Sequence, residues 1–124
     1  LRNRAVRISG TDYTPPKNIV DIRARLNEIL YDQNLYENPL EKAVYLHCNL
    51  AKLQPFIDGN KRTARMIETI TMMNADIIPV YSSKEADILN YRRGLIEFYE
   101  TGDYSKYVTY FLGKQLDRIN EIGD

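Results

Sequence analysis

Apolar residues recur at helical spacing along most of this chain, and proline, glycine and asparagine interrupt them at short intervals. The first run begins at Ile19 and continues through Ile22, Leu26, Ile29 and Leu30. Residues three and four positions apart share one face of an α-helix, so this run predicts a first amphipathic helix. A chain with such a pattern is expected to fold as a bundle of short helices.

The second helix has clear boundaries in the sequence. Asn38 can cap its start, Pro39 suits its first turn, and Glu41 lies three residues after the cap. Pro55 lacks a backbone N–H and disfavours helical geometry in the residue before it, so the helix is expected to end just ahead of it. His47, the single histidine of the chain, lies on this helix, and we interpret it as a packing residue.

Signals for three further helices follow the second one. A third helix begins after Gly59, and its apolar residues lie on most sides, which predicts a central position in the fold. Ser82 and Glu85 form a capping box for a fourth helix, and Gly102 ends it. Asp103 can then cap a fifth helix.

The first sixteen residues carry a different pattern. Residues 4–9 alternate between polar and apolar side chains, and a turn-prone Ser-Gly-Thr-Asp sequence covers positions 9–12, which together predict a short β-hairpin. The predicted fold class is therefore all-α, a compact helical bundle with a β-hairpin near the N-terminus. We expect a single domain over residues 1–124, made of the hairpin (1–16), helices (17–53), a loop with a helix start (54–65) and further helices (66–124).

Charge and composition exclude several classes of function. The 17 basic and 17 acidic residues cancel, so we expect no nucleic-acid partner and no attraction to a membrane surface. No apolar stretch approaches the ~20 residues that cross a bilayer. Cys48 is the single cysteine, so no internal disulfide can form, and the chain is expected in the reducing cytoplasm.

The segment 54–65 combines a helix stop, a turn and a basic helix start. Gly59 and Asn60 tolerate left-handed backbone geometry, so successive backbone N–H groups can converge into a concave anion site, called a nest. The positive end of the third helix lies beside this nest and favours phosphate. The segment therefore predicts an anion-binding loop.

Charged side chains of the same segment agree with an anion site. Lys61, Arg62 and Arg65 lie near a helix start, where the dipole repels cations unless a bound anion offsets the repulsion. The two arginines are three positions apart and are spaced to grip one phosphate chain. Asp58 could hold Mg²⁺ against phosphate oxygens. The alternative interpretation is an ordinary helix–helix loop with solvated charges.

Residues 55–65 read Pro-Phe-Ile-Asp-Gly-Asn-Lys-Arg-Thr-Ala-Arg, which resembles the Fic family signature H-P-F-x-D-G-N-G/K-R-x-x-R. Residues 38–47 resemble the helix that precedes this signature, and residues 6–16 resemble the family's flap, so the resemblance covers about residues 3–75. It implies a helical Fic fold, ATP and Mg²⁺ as cofactors, and transfer of AMP to a hydroxyl group of a target protein.

The resemblance also implies a role for each matching residue. Contacts with the nucleotide are implied for Gly59, Asn60, Lys61, Arg62 and Arg65. A contact with Mg²⁺ is implied for Asp58, and Phe56 is implied to anchor the loop in the core. Catalysis is implied for Asn60 and Arg62 together with position 54.

Position 54 departs from the family pattern. The family has a histidine there, which removes the proton from the attacking hydroxyl, whereas this chain has Gln54. Glutamine does not titrate near neutral pH and cannot act as a general base, a loss that typically costs about 10²–10⁴-fold in rate. We therefore expect impaired transfer with phosphate binding intact. A degenerate family member, an engineered substitution, or a base supplied by another residue would each be consistent with Gln54.

Two other functions stay open at this point. A nucleotide-binding or protein-binding module that lost catalysis would keep the same anion loop. Lys61 occupies a position where many AMP-transferring members have glycine, and it also resembles the Doc-type toxins, which transfer phosphate.

The resemblance implies two kinds of partner. The flap near residues 7–14 is implied to hold a target protein in extended form, as an added strand is held, with an ordinary hairpin as the alternative. Residues 1–124 contain no good match to the family's inhibitory pattern S/T-x-x-x-E-G/N. The inhibitory element is therefore expected upstream, on a separate antitoxin-like chain, or not at all.

Overall fold

The computed structural model describes residues 1–81 and 84–123, with side chains as far as residue 116. The regular structure of these residues is helical, so the prediction of an all-α fold with five helices is confirmed. The α-helices are α1 (Ile19–Asp32), α2 (Pro39–Leu53), α3 (Asn60–Met73), α4 (Glu85–Thr101) and α5 (Ser105–Gly123), and a short 3-10 helix covers Gln33–Leu35. None of the helices in these ranges has the length and apolar character needed to cross a bilayer.

The chain divides into two compact units, one ending at Ile77 and the other beginning at Ile78. The first unit holds α1, α2 and α3, and the second holds α4 and α5. The expectation of a single domain over residues 1–124 stays a prediction.

Side-chain caps fix the starts of α1 and α2. The Asn18 side chain accepts a hydrogen bond from the Asp21 backbone N–H at 2.9 Å. The Asn38 side chain accepts from the backbone N–H groups of Leu40 and Glu41, at 2.8 and 3.3 Å. These bonds satisfy N–H groups that have no partner inside a helix, so the predicted start of α2 is confirmed together with its cap.

The centre of the first unit is α2, and the prediction that α3 takes this place is wrong. Ten of the fifteen residues of α2 are buried. In α3, Met66, Ile70 and Met73 are 47–59% exposed, and the buried side of the helix includes the polar residues Asn60 and Glu68. The sequence predicted a central position for α3 because hydrophobicity alone does not reveal polar groups that find partners in the interior.

The predicted β-hairpin of residues 1–16 is also wrong, because this segment contains no strand. It is irregular, with a turn in which the Tyr13 backbone N–H donates to the Thr11 hydroxyl at 3.1 Å. Two short strands without a third strand to pair with are marginally stable in water. The segment instead bonds to the end of α2, where the Arg2 backbone N–H donates to the Pro55 carbonyl at 3.0 Å.

The second unit is a pair of helices packed closely against each other. A Cβ added to Gly94 of α4 would lie 2.8 Å from the Tyr107 Cα, so only glycine allows this approach. Gly102 ends α4 with a φ of 78°. Asp103 then accepts from the Ser105 backbone N–H at 2.8 Å, which confirms the predicted cap of α5. The capping box expected at Ser82 lies outside the described residues.

Candidate functional site

The residue that ends α2 has an unusual backbone conformation. Gln54 has a φ of 52° and a ψ of 60°, which is left-handed, and its backbone N–H donates to the Leu50 carbonyl at 3.1 Å. Pro55 follows and is buried. A left-handed conformation costs a residue other than glycine about 1–2 kcal/mol, so surrounding contacts must hold Gln54 in place.

Both ends of the Gln54 side-chain amide are engaged within the protein. Its Nε2 donates to the Ala51 carbonyl at 2.6 Å, and its Oε1 accepts from Asn60 Nδ2 at 3.0 Å. Neither atom can take up a proton near neutral pH. Gln54 can therefore orient neighbouring groups but cannot deprotonate a hydroxyl.

Asn60 closes the loop that joins α2 to α3. Its Oδ1 accepts from the Phe56 backbone N–H and its Nδ2 donates to the Phe56 carbonyl, both at 2.8 Å. Together with the bond to Gln54, these contacts use the side chain inside the loop, and Asn60 is only 6% exposed. The contact of Asn60 with phosphate stays a prediction, and its observed role is to fix the loop.

Phe56 does not anchor this loop, which corrects the sequence-based expectation. Its side chain is 39% exposed. The buried residues of the loop are instead Pro55 and Asn60, and Asn60 bonds both backbone polar groups of Phe56. Hydrogen bonds from Asn60 to the Phe56 backbone therefore hold the loop, a role that was expected of the Phe56 ring.

Gly59 gives the start of α3 the geometry expected of an anion site. Its φ is 76°, and it precedes α3 without offering a side chain to cap the first N–H groups. The amides of a first helical turn have no acceptor inside their helix, and the helix dipole makes this end positive. A Cβ at Gly59 would lie 3.0 Å from Arg62 Nη2, so the absence of a side chain leaves room for that guanidinium.

Charged side chains surround this helix start. Arg62 Nη2 lies 3.8 Å from Asp58 Oδ2, and the two side chains are 79% and 94% exposed. Lys61 and Arg65 are half-buried. An ion pair this exposed stabilises the protein by about 0–1 kcal/mol. Asp58 and Arg62 can therefore separate and contact a ligand at little cost.

Asp58 fits Mg²⁺ only in combination with a nucleotide. Mg²⁺ usually binds one or two carboxylates and completes its shell with phosphate oxygens and water. The described part of the chain brings no three His, Cys, Asp or Glu side chains together as a metal site. A single exposed carboxylate beside a helix start is consistent with a metal that arrives with its phosphates.

Sequence comparison decides the family of this chain. The sequence model of the Fic/DOC family matches residues 1–72, which is more than half of the chain and includes the whole loop between α2 and α3. The chain belongs to the Fic/DOC family.

Relatives of this Fic/DOC chain include animal proteins. It is 31% identical over 80 residues to "Protein adenylyltransferase fic-1" of Caenorhabditis briggsae, covering 62% of this chain and 16% of that protein. It is 28% identical over 111 residues to "Protein adenylyltransferase Fic" of Nematostella vectensis, covering 86% of this chain and 22% of that protein. The chain thus spans about a fifth of the length of the relatives that it matches.

The N-terminal segment of the Fic/DOC match borders an open pocket of about 370 Å³. Residues of the segment 7–14 line it, among them Arg7, Thr11 and Tyr13. The Lys52 ammonium group lies 5.1 Å from the centre of the Tyr13 ring. Burial raises the pKa of the Tyr13 phenol, although the positive charges of Arg25 and Arg2 oppose this shift.

His47 of this Fic/DOC chain is a packing residue, as the sequence analysis interpreted it. The His47 side chain lies on α2 and is fully buried. Its Nδ1 lies 3.2 Å from Oε1 of Glu68 on α3, and the Glu68 side chain is also fully buried.

Cys48 is the neighbour of His47 on α2. Burial, together with the charge of Glu68, raises the pKa of the Cys48 thiol well above its usual value, so this thiol is unreactive.

Sequence reasoning missed two residues that shape this region. Glu68 could have been found, because it lies four positions from both Ala64 and Met72 on the buried side of α3. Arg2 had no such signal, because it acts on a loop more than fifty positions away in the sequence.

Proposed function

We propose that this chain is the nucleotide-binding part of a protein adenylyltransferase. It binds Mg-ATP at the loop between α2 and α3 and transfers AMP to a hydroxyl group of a target protein. Gln54, which stands at the position of the general base, lowers the rate of this transfer.

One observation carries the proposal: a left-handed Gly59 opens α3 without a side-chain cap, directly beside Asp58 and Arg62. Uncapped amides, a positive helix end and a guanidinium together form the recognition chemistry of a phosphate chain. The proposal is further supported by the Fic/DOC match and by relatives that are named adenylyltransferases.

Each charged residue of the loop has its own role in the proposed transfer. The amides at the start of α3 and the guanidinium groups of Arg62 and Arg65 bind and neutralise phosphates, and Lys61 adds a further cation. Mg²⁺, when bound with ATP, offsets negative charge, and Asp58 is the residue that would hold it. A target hydroxyl then attacks the α-phosphate and pyrophosphate leaves. The hydroxyl proton passes to solvent water, because Gln54 provides no general base to take it, and this limits the rate.

A second candidate is a nucleotide-binding or protein-binding module without catalysis. The specific observation in its favour is that both ends of the Gln54 amide are engaged, to Ala51 and Asn60. Such a side chain stabilises the loop and leaves phosphate binding intact. A Doc-like phosphotransferase is a third candidate, supported by Lys61 beside the proposed nest.

ATP labelled separately on the α-phosphate and the γ-phosphate distinguishes the three candidates. Covalent label from the α-phosphate means AMP transfer, whereas label from the γ-phosphate means phosphorylation. Measurable ATP affinity without either label means a binding module. No affinity and no label would overturn all three and leave an ordinary solvated loop.

We also propose that the segment 7–14 contacts the target protein. Its pocket of about 370 Å³ offers hydroxyl groups and the Arg7 guanidinium to a polypeptide. Substitution of Arg7 would then weaken capture of the target without changing affinity for ATP. We further propose an inhibitory partner chain and a cytoplasmic location.

A further inference from the structure

Arg2 is a buried cation beside the loop, with only 3% of its surface exposed. Its Nη2 donates to the Leu53 carbonyl at 3.1 Å, and its Nε donates to the Gln54 carbonyl. Its backbone N–H donates to the Pro55 carbonyl at 3.0 Å. One residue therefore binds three consecutive carbonyl groups where α2 ends.

The positive charge of Arg2 lies at the C-terminal end of α2, where a cation is favourable. The last carbonyl groups of a helix have no partner inside it and form the negative end of the helix dipole, so a guanidinium satisfies and stabilises them. The remaining donor, Nη1, bonds the Arg4 carbonyl at 2.8 Å and so also ties down its own segment. Burial lowers the pKa of Arg2, but an arginine stays charged at any physiological pH.

A line of hydrogen bonds runs from Arg2 into the candidate site. Arg2 holds the Gln54 carbonyl, Gln54 Oε1 accepts from Asn60 Nδ2, and Asn60 bonds both backbone groups of Phe56. Gln54 is left-handed, which is a costly conformation for a glutamine. Fixing its carbonyl fixes that conformation and the direction of its side chain.

We propose that Arg2 is a positioning residue, which sets the backbone of position 54 and through it the shape of the loop between α2 and α3. Arg2 touches no substrate in this role. Its effect on activity rests on the proposed function, whereas its effect on the loop does not. A merely structural role would lower stability and leave the folded loop unchanged.

Amide hydrogen exchange measures how readily the loop between α2 and α3 opens, and it requires no ligand. The variants are Arg2→Ala and Arg2→Lys, which keeps the charge but cannot fork to two carbonyl groups. The control is Arg4→Ala, since Arg4 is exposed and supplies only its backbone carbonyl to Arg2.

We expect the amides of Gln54 and Phe56 to exchange at least about tenfold faster in the Arg2 variants, because charged hydrogen bonds that oppose local opening are lost. Amides in the middle of α1 serve as the internal reference and keep their rates, as does the Arg4→Ala control. Unchanged exchange at Gln54 and Phe56 in a folded Arg2 variant overturns the proposal. If Arg2→Ala does not fold, Arg2→Lys gives the same decision.

Kinetics in the Gln54→His background provide a second readout. Misplacing a catalytic group by about 1 Å can cost on the order of 10²-fold in rate, so Arg2→Lys should lower kcat at least about tenfold per folded molecule. KM for ATP should change less than about threefold, because the groups proposed to bind the phosphates lie at the start of α3 and are kept in this variant. An unchanged kcat overturns the positioning role.

The two readouts also separate failure of this inference from failure of the proposed function. If the Gln54→His chain neither binds ATP nor transfers label, the proposed function fails. The exchange rates of Gln54 and Phe56 still decide whether Arg2 positions the loop.

Discussion

The backbone of Gln54 is left-handed, and both ends of its side-chain amide form hydrogen bonds within the protein. Under the proposed function, a histidine there would place a ring nitrogen that titrates near neutral pH beside the attacking target hydroxyl. We expect Gln54→His to raise transfer of α-labelled AMP at least about tenfold, because a general base contributes about 10²–10⁴-fold. The measurement is covalent label on protein after incubation with a cell lysate as the source of acceptors.

The matched control for this prediction is Gln54→Ala. It removes the same hydrogen bonds to Ala51 and Asn60 but adds no base, so it should not gain activity. Equal transfer by Gln54→His and the unmodified chain would contradict the prediction, and it would favour the binding-module candidate.

Arg62 is the residue on which nucleotide affinity should depend. Its guanidinium is 79% exposed and pairs only loosely with Asp58, at 3.8 Å, so folding does not require it. A hydrogen bond to a charged group is worth about 1.5–3 kcal/mol, so Arg62→Ala should weaken Mg-ATP binding about 10- to 150-fold. Isothermal titration calorimetry measures this change.

Arg92→Ala is the control, because Arg92 is an exposed arginine of α4 that lies outside the unit containing the loop. It should keep the affinity of the unmodified chain. Equal affinity in Arg62→Ala would support the alternative interpretation of the loop as a solvated surface turn.

At the level of the helices, sequence reasoning succeeded where the signal was local. Asn38, Pro39 and Pro55 act within one turn of α2, so its start and end followed from residue types alone. The left-handed start of α3 at Gly59 was predicted for the same reason. Local chemistry was sufficient for the boundaries of the candidate site.

Sequence reasoning failed where the outcome depended on distant partners. The segment at the N-terminus read as a hairpin because its alternating pattern does not show that Arg2 bonds residues 53–55. The buried side of α3 was not recognised because Glu68 is a charged residue type, and the sequence does not show that His47 lies beside it in the interior. Phe56 was expected inside because the family resemblance implied it, and the resemblance did not show that Asn60 bonds the Phe56 backbone instead.

The buried pair of His47 and Glu68 joins the two helices that carry the loop. The two side chains are fully buried and 3.2 Å apart. Removing one partner of a buried pair is strongly destabilising, so Glu68→Ala should lower the free energy of unfolding by about 3–5 kcal/mol. Urea denaturation followed by circular dichroism measures this loss.

Two comparisons test the reason for that loss. Replacing both partners by leucine should cost less than Glu68→Ala, because no unpaired polar group then remains in the interior. Glu28→Ala, which breaks an exposed contact with Arg25 at 3.5 Å, should cost about 0–1 kcal/mol. A double variant as unstable as the sum of its single variants would argue against a coupled pair.

Across the whole molecule, the residues of the proposed sites lie in one part of the chain. The family match covers residues 1–72, and the first compact unit ends at Ile77. Arg2, the pocket of segment 7–14 and the loop between α2 and α3 all lie within that unit. Because the net charge of the chain is zero, the proposed binding of ATP would rely on local groups and not on a global field.

This distribution predicts where Mg-ATP alters hydrogen exchange. A ligand slows exchange at the amides it bonds and at amides whose opening it opposes, so protection should appear at residues 59–65 and at Phe56, which Asn60 bonds. The effect should grow with Mg-ATP concentration, and in Arg62→Ala it should require concentrations about 10- to 150-fold higher than in the unmodified chain. Protection that appears at the same Mg-ATP concentration in Arg62→Ala as in the unmodified chain, or that bypasses residues 59–65, would show that the nucleotide binds elsewhere. Protection at the start of α3 would instead assign the backbone amides themselves to the phosphates, a contact that no side-chain substitution can test directly.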